Sequence, residues 1–293
     1  MSGFKGLLGW THSLREQYSK QDIELLLRAL ATSNTTFGIP LAFSETGSEA
    51  TMISKFHSDM FYLDVASLLP VSALSPFQEM DSILDMCAAP GGKSLAMLFL
   101  NQGLQFRLTS TDEDWGSDRM KRLRHNIESS EKYVADSVVV PPEDIDNICA
   151  IGFDRILVDA PCTSDRHLLS SGDIASWSAK KVRMSADRQI DLLTTALSRT
   201  KAGGRVVYST CALSIFENDN VVDRVLSNSS CEILPFDKSC LSSKSVQESL
   251  GSFLGVVSDM VDALQRTKFG YLLCPHQVVG FNGPIYFSLI RKL

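Results

Sequence analysis

The sequence predicts an α/β protein built on a doubly wound, mostly parallel sheet. Three observations carry that prediction. Short apolar runs alternate with helical patterns, a glycine-rich loop follows one of those runs, and the chemistry-bearing residues recur at the ends of the runs. Ser82-Ile83-Leu84-Asp85-Met86 is the first run of strand length, and residues 88–93 then supply small side chains and a proline before a helical stretch over 94–100. A second strand over 106–111 ends in Asp112, Glu113 and Asp114, and an amphipathic helix over 119–127 turns Met120, Leu123 and Ile127 inward. A third strand over 136–140 ends at Pro141-Pro142-Glu143-Asp144. After it come a strand over 153–158, a helix around 189–198, a Gly203-Gly204 stop and a strand over 205–208.

The flanks read differently. Residues 19–30 form an amphipathic helix with Ile23, Leu26, Leu27 and Leu30 inward, and 32–51 is a polar, Ser/Thr/Gly-rich connection. Residues 1–60 are thus expected to be a helical extension with a linker, and 61–293 the main domain. Towards the end, 245–264 reads as one helix, and 271–274 with 284–290 as a closing strand pair.

Composition excludes several classes. No apolar run approaches the roughly 20 residues of a membrane helix. Seven cysteines without Cys-x-x-Cys pairs or histidines at ligand spacing argue against zinc and suit a reducing compartment. No secretory signal is visible, and the first residues are not the Arg-rich, acid-poor pattern of a mitochondrial presequence.

The loop Cys87-Ala88-Ala89-Pro90-Gly91-Gly92-Lys93 lets backbone approach a ligand, and the helix start after it favours an anionic or carboxylate-bearing one. It is neither the dinucleotide fingerprint nor the triphosphate loop, because Cys87 stands where the latter needs its first glycine. An acid closing the second strand is where doubly wound folds hold a ribose, although Asp114 or Asp118 serves equally as a helix cap. Two further motifs, Asp159-Ala160-Pro161-Cys162 and Ser209-Thr210-Cys211, each place a thiol just after an apolar run.

Taken in order, Leu84 through Lys93, Val158-Asp159-Ala160-Pro161-Cys162, and Val207-Tyr208-Ser209-Thr210-Cys211-Ala212-Leu213 with Glu217-Asn218 resemble the successive motifs of the Sun-type RNA cytosine-5 methyltransferases. Residues 62–70, Thr163-Ser164-Asp165-Arg166-His167 and Gly283-Pro284-Ile285-Tyr286 are most similar to the mitochondrial, ribosomal-RNA-acting members. The resemblance implies a seven-stranded sheet with an antiparallel last strand, S-adenosylmethionine as cofactor, and a location in the mitochondrial matrix. It implies Cys211 as the nucleophile, Asp159 on the pyrimidine edge, and Cys162 in release of the product. For the cofactor it implies Cys87, Ala88, Ala89, Pro90, Gly91, Gly92 and Lys93 on the methionine part, with Asp159 and Arg119 nearby. Asp112 or Asp114 would take the ribose, Asp114 being favoured because it stands at the family-like distance before Arg119, and Glu143 or Asp144 the adenine.

The chemistry needs these residue types. Carbon 5 of cytosine becomes nucleophilic only after a thiolate adds to carbon 6. A DNA cytosine methyltransferase would use the Pro-Cys position, Cys162, instead. The net charge of −6 supplies no general attraction for RNA, which makes an accessory RNA-binding protein an expected partner. Local basic groups are Arg119, Lys121, Arg122 and Arg124; Lys180, Lys181, Arg183 and Arg188; and Arg291 with Lys292, of which the second group is the better candidate for the substrate strand. Ribosomal RNA is favoured over transfer RNA, and a ribosome-assembly factor with dispensable catalysis is the competing class.

Overall fold

The computed structural model describes residues 2–41, 60–130, 133, 135–278, 280 and 282–293, with side chains from residue 5 onward. Its strands are β1 (Thr36–Pro40), β2 (Met60–Asp64), β3 (Ser82–Asp85), β4 (Arg107–Ser110), β5 (Asp136–Val139), β6 (Phe153–Asp159), β7 (Thr200–Thr210), β8 (Cys231–Ile233), β9 (Gln265–Arg266), β10 (Tyr271–Leu273) and β11 (Ile285–Lys292). The central sheet runs β5-β4-β3-β6-β7-β11-β10-β9, with β8 paired to β11. The pairs from β5 to β7 are parallel and β11 is antiparallel to β7, as expected. Two short additions, β8 and β9, bring the strand number from the expected seven to nine among the described residues. Neither has the length or alternation that would mark it in sequence.

Successive strand residues face opposite sides, and the core divides accordingly. Ile83, Leu157 and Val207 point to one side, under the helices Leu68–Leu74, Gly92–Leu100 and Asp118–Glu128. Leu84, Ile156, Val158 and Tyr208 point to the other, where the helices Ala179–Arg199 and Asp219–Leu226 pack. Helices Ser2–Leu14 and Lys20–Ala31 join that second layer through Trp10, Leu14, Ile23, Leu26 and Leu30, all buried. Ser19 and Asp22 form a reciprocal cap at the start of Lys20–Ala31.

Three expectations are corrected. The helix Ala179–Arg199 begins ten residues before Gln189, because Ser178 caps it by accepting from Lys181 N. Gly203-Gly204 does not stop a helix but lies within β7, where the register shifts from Phe153 opposite Thr200 to Arg155 opposite Arg205. Gly203, at φ 77°, takes the left-handed conformation that this irregularity requires. The stretch read as one helix over 245–264 is two, Lys244–Leu250 and Leu254–Asp262, separated by a tight turn at Gly251–Phe253. Within the polar connection over 32–51, residues 36–40 are β1, paired antiparallel with β2; 42–51 lie outside the described residues.

Candidate active site

The glycine-rich loop and the two cysteine motifs meet at the carboxyl ends of β3, β6 and β7. After β3 the chain turns through the glycine-rich loop into Gly92–Leu100, and Gly91, at φ 112°, makes the turn that admits the helix. Arg119 donates to the Ala89 carbonyl at 2.5 Å and Asn126 to that of Pro90 at 2.8 Å, so the helix after β4 clamps the loop from outside. Asp112 accepts from Ala89 N at 3.2 Å and from Asp114 N at 3.1 Å. Asp112 therefore touches the loop, whereas Asp114, the acid favoured from its spacing, stands exposed. Glu143 and Asp144 follow β5 on an exposed turn.

Loop and β2 together enclose a cavity of about 210 Å³ lined by Phe61, Asp85, Ala88, Pro90, Lys93 and Asp159 among others. Asp85 is fully buried; Ser94 donates to its Oδ2 at 2.6 Å, while Oδ1 has no partner. Burial pushes its carboxyl up to about 7 against that hydrogen bond. Cys87 is buried too, and burial raises its thiol.

A second cavity of about 390 Å³ adjoins the first, lined by Asp64, Ser164, Arg166, Cys211 and Pro284 among others; Ser67, Lys93 and Asp159 line both. Lys93 Nζ lies 2.5 Å from Asp159 Oδ2, and Ser209 Oγ donates to Oδ1 at 2.8 Å. Burial pulls the Lys93 ammonium down, but Asp159 outweighs it and the net shift is upward.

Cys162, on the loop after β6, and Cys211, just past β7, lie side by side, with their Sγ atoms 3.0 Å apart and both thiols free. Ser164 Oγ lies 3.6 Å from Cys211 Sγ. The hydrogen bond from Cys162 favours the Cys211 thiolate and lowers that thiol, while the same contact, with burial, raises Cys162. The contact thus favours the thiolate on Cys211 and the neutral thiol on Cys162. On its other side Cys162 lines a cavity of about 410 Å³ with Trp177, Lys181, Met184 and Arg188. Lys181 and Arg188 belong to the basic group favoured from sequence, and Arg188 donates to Glu113 at 2.8 Å. Arg124 lies over the Trp115 ring, Lys121 pairs with Asp118, and Lys292 donates to carbonyls at the end of Ala179–Arg199.

Several site residues had no role assigned from the sequence. Glu217 is fully buried and accepts from Thr163 N and Oγ1 at 2.9 and 2.5 Å and from Gln189 Nε2 at 3.1 Å. Asp165 accepts from Trp10 Nε1 at 2.6 Å and from Leu213 N at 2.7 Å. Asp64 accepts from Asn34, Ala66 N and Gly283 N. Glu217, Asp165 and Asp64 sit inside the quoted motif strings, and Trp10 opens the stretch Trp10-Thr11-His12-Ser13-Leu14-Arg15, which resembles the start of the folded part of the same family; Asn34 carries no such signal.

The sheet order, with its antiparallel β11, is that of the α/β methyltransferase fold. Over 96% of its length the chain superposes on a methyltransferase homologue from Pyrococcus horikoshii, covering 98% of that chain with a TM-score of 0.63 at 20% identity. Residues 71–255 match the model of the 16S rRNA methyltransferase RsmB/F family, and the chain belongs to that family. It is 36% identical over 242 residues to the 5-cytosine rRNA methyltransferase NSUN4 of Mus musculus, covering 80% of this chain and 60% of that protein. It is 32% identical over 237 residues to a mitochondrial tRNA (cytosine(34)-C(5))-methyltransferase of Danio rerio, with the same shares. The chain therefore spans about 60% of the length of these relatives. The resemblance read from the motifs is borne out by the family match.

Proposed function

We propose that the protein methylates carbon 5 of cytosine in mitochondrial ribosomal RNA, using S-adenosylmethionine and a covalent cysteine adduct. The observation that carries this reading is the junction of the two cavities: Lys93 and Asp159 line both, and the polarised thiol of Cys211 faces the second.

The first cavity fits the cofactor. A side chain at Gly92 would come within 3.0 Å of Phe61, and the unpartnered Oδ1 of Asp85 is an acceptor suited to an ammonium. Residues 88–93 and Asp85 would hold the methionine part and Asp112 the ribose, with Arg119 bracing the loop. Bound there, S-adenosylmethionine supplies an electrophilic methyl group.

The remaining work falls to this chain's residues. A cytosine flipped out of its stack enters the second cavity. Cys211 adds as thiolate to carbon 6, making carbon 5 nucleophilic. Asp159, held by Lys93 and Ser209, meets the pyrimidine edge and, by sharing a proton with ring N3, offsets the charge that addition develops. After transfer, the carbon-5 proton passes to water through a relay in which the Cys162 thiol gives up its own proton as it takes the new one, the Cys211 sulfur leaves as thiolate, and the double bond between carbons 5 and 6 is restored. The test is a denaturing gel for protein bound to RNA: Cys211→Ala should abolish the adduct and Cys162→Ala should trap it. The opposite result would assign the nucleophile to Cys162, as in DNA methyltransferases.

Ribosomal RNA is supported by the name of the mouse relative, and the zebrafish relative supports mitochondrial transfer RNA as the second reading. Bisulfite mapping of cellular RNA with and without the protein decides between them, and unchanged mapping with Cys211→Ala would favour an assembly factor. With a net charge of −6 and Arg188 and Arg291 committed to acids, an accessory RNA-binding chain supplies the affinity. Tight RNA retention by the isolated chain at physiological salt would remove that need.

A further inference from the structure

We propose that Glu217 is a positioning residue that fixes Cys162, and thereby serves the breakdown of the covalent adduct rather than its formation; this rests on the cytosine-5 reading above. Cys162 sits between two anchored neighbours. Thr163 is tied through both its N–H and its hydroxyl to the Glu217 carboxylate. Pro161 is tied through its carbonyl, at 2.8 Å, to the Gln189 amide that also donates to Glu217. One buried carboxylate and one buried amide therefore bracket the loop on each side of the thiol.

Cys211 is held by other means. It stands just past β7, whose register against β11 runs to Thr210 opposite Tyr286. The turn after it is closed by Thr210 Oγ1 donating to Asn218 at 2.6 Å and by Asn218 Nδ2 donating to Ala212 O at 2.9 Å. The Glu217 carboxylate takes no part in either bond. Its own backbone carbonyl, which accepts from Tyr208 OH at 2.6 Å, keeps position 217 in place whatever side chain it carries. Loss of the carboxylate thus frees the loop bearing Cys162 and leaves the nucleophile on its strand.

The experiment uses the full chain, tritiated S-adenosylmethionine and in-vitro-transcribed small-subunit ribosomal RNA. Glu217→Ala should lower steady-state turnover by about a hundred-fold, as a displacement near 1 Å does. Methyl incorporation in a single turnover should persist, and the covalent RNA–protein band should accumulate. Glu217→Gln, which keeps an acceptor for Thr163 N, should restore most of the turnover. Gln189→Leu, which leaves the carboxylate in place, should accumulate the same band and gives a second reading if Glu217→Ala fails to fold. Equal loss of adduct formation and turnover, no accumulation in either variant, or no rescue by Glu217→Gln would overturn the inference. Cys162→Ala run alongside separates the two failures: if it too shows no adduct, the cytosine-5 reading itself is wrong; if it alone traps the adduct, only the role of Glu217 falls.

Discussion

Lys93 Nζ and Asp159 Oδ2 are 2.5 Å apart at the wall shared by the two cavities, and both side chains are mostly shielded from water. An ion pair there does two things: it fixes the orientation of Asp159, which the proposed reaction aims at the pyrimidine, and it places a cation where it lowers the Cys211 thiol. Lys93→Met removes the charge while keeping much of the bulk. We expect a fall in single-turnover rate of about a hundred-fold and a stability loss of about 2 kcal/mol, between the values for exposed and buried pairs. Methyl transfer and urea unfolding measure the two, and an unchanged rate would exclude the pair from the chemistry.

The polarised thiol pair predicts an order of chemical modification. Thiolate is the reactive form, and the hydrogen bond from Cys162 favours it on Cys211. Iodoacetamide near neutral pH should therefore label Cys211 before Cys162, as peptide mapping by mass spectrometry would read. Labelling in the reverse order would contradict the assigned polarity.

Asp85 gives a prediction in pH. Burial raises its carboxyl from 3.8 to about 7, so between those values the folded chain holds a proton that the unfolded chain has lost. Its contribution to stability is complete below 3.8 and disappears as pH rises through about 7. Asn imitates the neutral form, so Asp85→Asn should flatten the fall in urea midpoint across that window. Glu217, raised by burial from 4.5 to about 7, leaves a residual slope that the double variant with Glu217→Gln should remove. A variant whose profile matches the unmodified protein would show that Asp85 does not titrate there.

Gly91→Ala should cost about 1–2 kcal/mol, because an L side chain at φ 112° is strained and its Cβ would stand 3.1 Å from Leu123. The same change distorts the cofactor loop, so calorimetric titration with S-adenosylmethionine should show weaker binding. Retained affinity would dissociate the loop from the cofactor.

Lys181→Ala tests the cavity on the far side of Cys162 as part of the RNA path. A lysine that meets a phosphate contributes uniformly across sequences. Its loss should weaken binding and reduce the dependence of log affinity on log salt by about 1. No change in that slope would place the RNA elsewhere.

Much of the fold was legible because its signals are local. β3, β4, β5 and β6 are short apolar runs with polar motif residues at their ends, and the observed strands lie within a residue or two of the expected ones. The meeting of Cys162 with Cys211 followed from motif order and the parallel sheet. What escaped depends on distant partners. β1 is visible only beside β2, since Gly38 and Pro40 interrupt its apolar run, and the short β8 only beside the end of β11. The split at Gly251 is hidden because the apolar spacing continues on both sides of it. Asp112 was distinguished from Asp114 only by the approach of Ala89 N.

The bond from Trp10 to Asp165 spans 155 positions, and the same carboxylate reaches on to Leu213 N. During synthesis, then, the helix carrying the indole is finished long before the segment it steadies has left the ribosome, and the reactive sulfur of Cys211 arrives later still. A nascent chain accordingly holds both thiols before the cavity around Cys211 is complete, since Gly283, Pro284 and Ile285, which line it, follow later in the chain.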